Sequence, residues 1–116
     1  ALAELEGLDL TLNNLSNLSK EFGQLKNLRT IDLTNNCFKN IPESLLECEK
    51  LQCLDLNNAE GTNKSILDQI GSCMNECENI EIISKFKSLE QLSISGALDK
   101  NQIREIDKKY PRIKIN

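Results

Sequence analysis

The stretch Leu28-Arg29-Thr30-Ile31-Asp32-Leu33-Thr34-Asn35-Asn36-Cys37-Phe38-Lys39-Asn40-Ile41-Pro42-Glu43-Ser44-Leu45-Leu46 holds a pattern onto which most of the chain can be laid. Its core, Leu28-x-x-Ile31-x-Leu33-x-x-Asn36, has a copy 23 residues earlier, Leu5-x-x-Leu8-x-Leu10-x-x-Asn13. A second copy follows 23 residues later, Leu51-x-x-Leu54-x-Leu56-x-x-Ala59. Alternation of apolar and other residues within each copy describes a short strand with one buried side. A fixed period of this size describes a solenoid, in which each turn buries its apolar side only by stacking on its neighbours. Leu15, Leu18, Phe22 and Leu25 fill the return of the first turn, and Phe38, Ile41, Leu45 and Cys48 that of the second. Pro42 lacks a backbone donor and has a fixed φ, which suits the start of a short helical or irregular return and excludes a strand interior.

The unit from Leu28 to Leu46 resembles one repeat of the leucine-rich-repeat family, in the LxxLxLxxNxLxxIP form common among intracellular members. The resemblance implies an α/β right-handed solenoid with about five parallel strands on a concave face and helical or irregular convex returns. Those strands fall near residues 7–10, 30–33, 53–56, 91–94 and 112–115. The expected organisation is a single domain over 1–116, with repeats near 5–27, 28–50, 51–88 and 89–110 and a terminal strand at 111–116. The first repeat begins without a cap, so an additional domain or a partner is expected at that end.

After Leu56 the period breaks. The next anchor, Leu89-x-x-Leu92-x-Ile94-x-x-Ala97, lies 38 residues beyond Leu51. Between them Ile66, Ile70, Cys73, Cys77 and Ile80 recur at steps of three and four, which predicts a helical stripe opened by Ser65 and weakened at Gly71. Residues 78–86 read either as helix or, through Ile80–Ile83, as an extra strand. The last repeat predicts a helix starting at Asp99 or Asn101, with Ile103, Ile106 and Tyr110 buried and Pro111 as the stop.

Aromatic residues make up 3% of the chain, so the core must be aliphatic. A net charge of −4 and the lack of a basic, aromatic stripe argue against nucleic acid. No apolar run approaches the roughly 18 residues of a membrane span. The five cysteines are odd in number and scattered, which does not describe a disulfide framework and points to a reducing, cytoplasmic setting. Secretion stays open: Asn14-Leu-Ser, Asn17-Leu-Ser and Asn63-Lys-Ser match the glycosylation acceptor pattern. Cys73-x-x-x-Cys77 reads as packing cysteine, since no His and no second thiol pair supplies further metal ligands.

Without His, and without a nucleophile paired to a base, no catalytic, metal or cofactor site is expected. Function then falls to the concave strand face, where the family usually binds. In a parallel ladder, equivalent residues of adjacent strands stand about 4.8 Å apart. One expected column is Asp9, Asp32, Asp55, Ser93 and Lys114, flanked by Gly7, Thr30, Cys53, Gln91 and Arg112 on one side and Thr11, Thr34, Asn57, Ser95 and Asn116 on the other. Arg29 and Gln52 are placed beside these columns. The expected function is docking of another protein, one carrying basic residues to meet the Asp column. Alternatives are the substrate-recognition part of a larger enzyme, such as a ubiquitin-ligase subunit or effector, and a secreted or surface recognition protein. Asn13 and Asn36 are expected to form a ladder of turn asparagines, ending where Ala59 and Ala97 take their place.

Overall fold

The computed structural model describes residues 4–59 and 62–116. Strands β1 (Gly7–Asp9), β2 (Thr30–Asp32), β3 (Cys53–Asp55), β4 (Gln91–Ser93) and β5 (Lys114–Ile115) form one parallel sheet in chain order. Leu8, Ile31, Leu54, Leu92 and Ile115 are in register across it, so the apolar anchors stack into one row. Each strand is brief because the backbone must turn away from the sheet once Leu10, Leu33 or Leu56 is buried. Leu12, Asn14 and Asn35 take left-handed φ of 59°, 54° and 58° to make that turn.

The returns are tight. Lys20–Gln24, Glu43–Glu47 (directly after Pro42) and Ile80–Lys85 are 3₁₀ turns, and only Lys64–Gln69 (α1) and Lys100–Lys109 (α2) are α-helical among the described residues. The first two 3₁₀ turns pack side by side around Gly23, where an added Cβ would lie 2.7 Å from the Glu47 Cβ. Leu28, Ile31, Leu33, Phe38, Ile41, Leu45, Leu51, Leu54, Leu56, Ile83, Leu92 and Ile94 are at most 1% exposed and form the centre of an aliphatic core. At the first turn Leu8, Leu10, Leu15, Leu18 and Leu25 are only half-buried.

Several expectations are corrected. The stripe from Ile66 to Ile80 is not a helix: α1 ends at Gln69, its N-cap is Asn63 and not Ser65, and Ile66 and Ile70 are 57% and 69% exposed. Of the two readings of residues 78–86, helix and extra strand, the strand does not hold, and the helix is a short 3₁₀ one, Ile80–Lys85. Helix α2 starts from Asp99, whose carboxylate and the Gln102 side chain form a reciprocal capping box. The last strand lies two residues later than expected, because the Tyr110–Ile113 turn uses that much more chain before the ladder resumes; Lys114, not Arg112, aligns with Gln91.

The asparagine ladder does not end at Ala59. Asn36 is buried, accepts the N–H groups of Asn13 and Leu15 at 3.0 and 2.9 Å, and donates to the Leu10 and Leu33 carbonyls. Asn75 then donates to the Leu33 carbonyl at 3.0 Å and accepts the Phe38 N–H at 2.9 Å. It stands outside the 23-residue phase, in the long stretch of chain between β3 and β4. Buried Asn58 closes the stem of this excursion, accepting the Asn75 N–H at 3.0 Å and donating to the Asn75 carbonyl at 2.8 Å. Cys73, expected in the core, is exposed and forms a disulfide with Cys37, with Cα atoms 5.3 Å apart. The bridge ties the excursion to the preceding turn of the solenoid.

Candidate functional site

The solvent-facing side of the sheet is built by the residues that alternate with the buried row. Asp9, Asp32, Asp55 and Ser93 are consecutive register partners, but Ser93 is buried and not open to solvent as expected; Lys114 leaves the Asp column and joins Gly7, Thr30, Cys53 and Gln91 in the column beside it. Thr11, Thr34 and Asn57 follow at the exit edge, where Asn57 Oδ1 accepts both the N–H and the hydroxyl of Ser95 at 2.9 and 3.0 Å. Arg29 and Gln52 sit at the entry edge, one residue before their strands. Their carbonyls each accept two backbone N–H groups from the next strand, so their backbone is fixed while the side chains stay available. Arg29 Nε pairs with Glu6 Oε1 at 3.3 Å, and both side chains are well exposed, so the pair adds little stability.

The three carboxylates differ in their partners. Asp9 Oδ1 accepts the Thr11 N–H and Asp32 Oδ1 the Thr34 N–H, each at 3.0 Å, closing the turn after its strand. That backbone hydrogen bond holds the Asp9 carboxyl below the usual carboxylate range. Partial burial instead pushes the Asp55 carboxyl up, a hydrogen bond from Ser93 opposes the shift, and the neighbouring Asp32 charge adds to it. The surroundings of Asp55 therefore disfavour its ionised form, and a cation placed against it would favour that form. The sequence pattern places the column; the difference between Asp55 and Asp9 comes from the burial of Asp55, with the Asp32 charge beside it, set against the Thr11 hydrogen bond at Asp9, which spacing alone does not reveal.

The free thiols do not form a second centre. Cys48 and Cys77 are buried, and burial pushes the Cys77 thiol up to about 12, which keeps it protonated and unreactive. Cys53 is half-buried on the sheet face.

Residues 3–59 match the family model for the leucine rich repeat. That match and the parallel ladder together make the chain a leucine-rich-repeat solenoid. A search of the curated proteins found no match. Among solved structures the chain is similar to a leucine-rich-repeat protein of Leptospira interrogans, with a TM-score of 0.63 and 29% identity over 97% of this chain. The chain spans about a quarter of the length of that protein, 25%. Leucine-rich-repeat domains generally mediate protein–protein interaction, and they do so without catalysing a reaction as a rule; no helix among the described residues is long and apolar enough to cross a membrane.

Proposed function

We propose that this leucine-rich-repeat chain docks a protein partner on the solvent-facing side of its sheet, and that the partner presents basic side chains to Asp32 and Asp55. The observation that carries this reading is the in-register Asp9–Asp32–Asp55 column, whose central pair stands on adjacent strands and whose last member is raised in pKa by burial. Like charges at ladder spacing repel. A Lys or Arg set between them relieves the repulsion, and the polar edges formed by Thr11, Thr34, Asn57, Gln52, Arg29, Gln91 and Cys53 supply hydrogen-bonding groups around it.

The test compares capture of binding proteins by the wild type and by an Asp32→Lys/Asp55→Lys variant with an unchanged circular-dichroism spectrum. A partner retained by the wild type and lost by the variant supports the reading; equal retention sinks it. Binding should also weaken as pH falls through the raised Asp55 pKa, because the cation requires the ionised carboxylate. Asp55→Asn should remove that pH dependence.

A second reading concerns the compartment. The Cys37–Cys73 disulfide favours an oxidising environment, where such bonds persist, over the reducing one that the odd cysteine count suggests. In that setting the same face would serve a secreted or surface recognition protein. Glycan mass on Asn14 or Asn17 of material from a eukaryotic secretory host would agree with it.

A further inference from the structure

The charge of this chain is not spread evenly. Residues 1–83 carry six Lys and Arg against fourteen Asp and Glu, a net of −8, whereas residues 84–116 carry eight against four, a net of +4. The two groups of cations also behave differently. In the first three turns Arg29, Lys39 and Lys64 are ion-paired, Lys26 donates to the Glu47 carbonyl and Lys50 to the Asn27 side chain, which leaves Lys20 as the exception there among the described residues. Lys87 is the one cation of residues 84–116 with an acidic partner among the described residues, Glu49 at 3.0 Å. At the C-terminal end, Lys85, Lys100, Arg104, Lys108, Lys109, Arg112 and Lys114 are all exposed, and among the described residues none makes an ion pair or a side-chain hydrogen bond.

Helix α2 explains part of this, since Lys108 and Lys109 in its last turn complement the helix dipole. It does not explain Lys85, Arg112 or Lys114, which lie outside the helix. Nor does it explain the spacing of Lys100, Arg104 and Lys108 at i, i+4 and i+8, where like charges face one another along one side of the helix. Two of these cations, Lys109 and Arg112, line a cavity of about 260 Å³ together with Ser84, Tyr110, Pro111 and Ile113. Its wall therefore offers two cations and two hydroxyls above an apolar floor, with the Lys109 ammonium 5.6 Å from the centre of the Tyr110 ring.

We propose that this terminal turn is a second docking surface, separate from the sheet face, for a short acidic protein segment. Its carboxylates would be held by Lys108, Lys109, Arg112 and Lys85. Two other polyanions fit less well. An extended nucleic acid would run from this end along the turns of net charge −8, and Tyr110 is the single aromatic residue at the site on which a base could stack. A membrane surface would gain no insertion here, because the exposed large apolar residues Leu12, Ile66 and Ile70 all lie in other turns. A short acidic segment can be confined to the basic end.

The experiment is fluorescence anisotropy at low salt with a labelled octaglutamate peptide, run beside a labelled oligothymidylate and vesicles containing phosphatidylserine. The expected result is peptide binding that falls steeply with added NaCl. It should be lost at least tenfold in Lys108→Glu/Lys109→Glu/Arg112→Glu and change less than twofold in the charge-matched Lys20→Glu/Lys39→Glu/Lys50→Glu. Equal losses in both variants would reduce the effect to net charge and overturn the proposal, as would absence of peptide binding to the wild type. Tighter binding of the oligonucleotide or the vesicles than of the peptide would reassign the surface to that partner. Salt-sensitive self-association by sedimentation velocity, abolished by the first variant, would make a second copy of the chain the occupant and overturn the proposal as stated.

Discussion

Asn36 shows how one side chain can join two turns of this solenoid. It is 1% exposed and uses both ends of its amide, accepting from the Asn13 and Leu15 N–H groups and donating to the Leu10 and Leu33 carbonyls. Alanine at this position would leave the Leu10 carbonyl and the two N–H groups unsatisfied, while the Leu33 carbonyl keeps Asn75. At about 1–3 kcal/mol for an unsatisfied buried polar group, partly relieved by water at the half-buried first turn, Asn36→Ala should cost about 2–4 kcal/mol of unfolding free energy in urea. Asn13 holds the equivalent sequence position but is exposed, and its amide donates only to the Thr11 carbonyl. Asn13→Ala should therefore stay within about 0.5 kcal/mol of wild type. Equal costs for the two would mean that the bonds to the preceding turn are not what holds the ladder.

The excursion between Ala59 and Asn75 is the element least like its neighbours. No side chain of α1 is buried, so the excursion is held by the Asn58–Asn75 stem, the Cys37–Cys73 bridge and exposed pairs such as Lys64–Glu76 at 3.6 Å. Protein purified without reductant and unfolded in guanidinium should titrate three thiols, those of Cys48, Cys53 and Cys77. Dithiothreitol should raise the count to all five cysteines and lower stability by about 2–4 kcal/mol, since the bridge removes conformational freedom from the unfolded chain. A count of five before reduction would show that the bridge does not form. The excursion is also where sequence and structure part. The three in-phase turns were legible because Leu-x-x-Leu-x-Leu specifies both a strand and its buried side. The spacing of Ile66, Ile70, Cys73, Cys77 and Ile80 mimics a helical stripe, yet two of those residues face solvent, one is in a disulfide, one is in the core and Ile80 packs half-buried against it. Periodicity reports only which residues could share a face; the bridge and the Asn58 stem depend on partners that the 23-residue phase does not predict. The acidic column was legible for the same reason as the strands. The late start of β5 was not, because the length of the Tyr110–Ile113 turn sets it.

Across the whole molecule, burial is greatest in the middle turns and weaker at β1. Leu54 is fully buried with β2 on one side and β4 on the other, whereas Leu8 has a strand on one side and is half-buried. In a solenoid the stability of each turn is largely its own plus that of its interfaces, so a central turn has two such contributions and a terminal one has a single interface. Leu54→Ala should cost about 2–5 kcal/mol, the usual range for a large-to-small change in a closed core. That is a large part of the roughly 6–17 kcal/mol expected for a chain of this length at about 0.05–0.15 kcal/mol per residue. Leu8→Ala should cost about half as much or less, because its side chain gains less burial on folding. Hydrogen exchange should show the same gradient. The Leu33 and Leu56 amides, which donate to the Asp55 and Ser93 carbonyls at 2.7 Å, should exchange only through global unfolding. The Leu10 and Leu12 amides, bonded to Asp32 and Thr34 at 2.9 and 3.2 Å in the half-buried first turn, should open earlier. Uniform protection from Leu10 to Leu56 would mean that the turns are coupled more tightly than nearest-neighbour stacking provides, and the energetic separation of sheet face, excursion and basic terminal turn would fail with it.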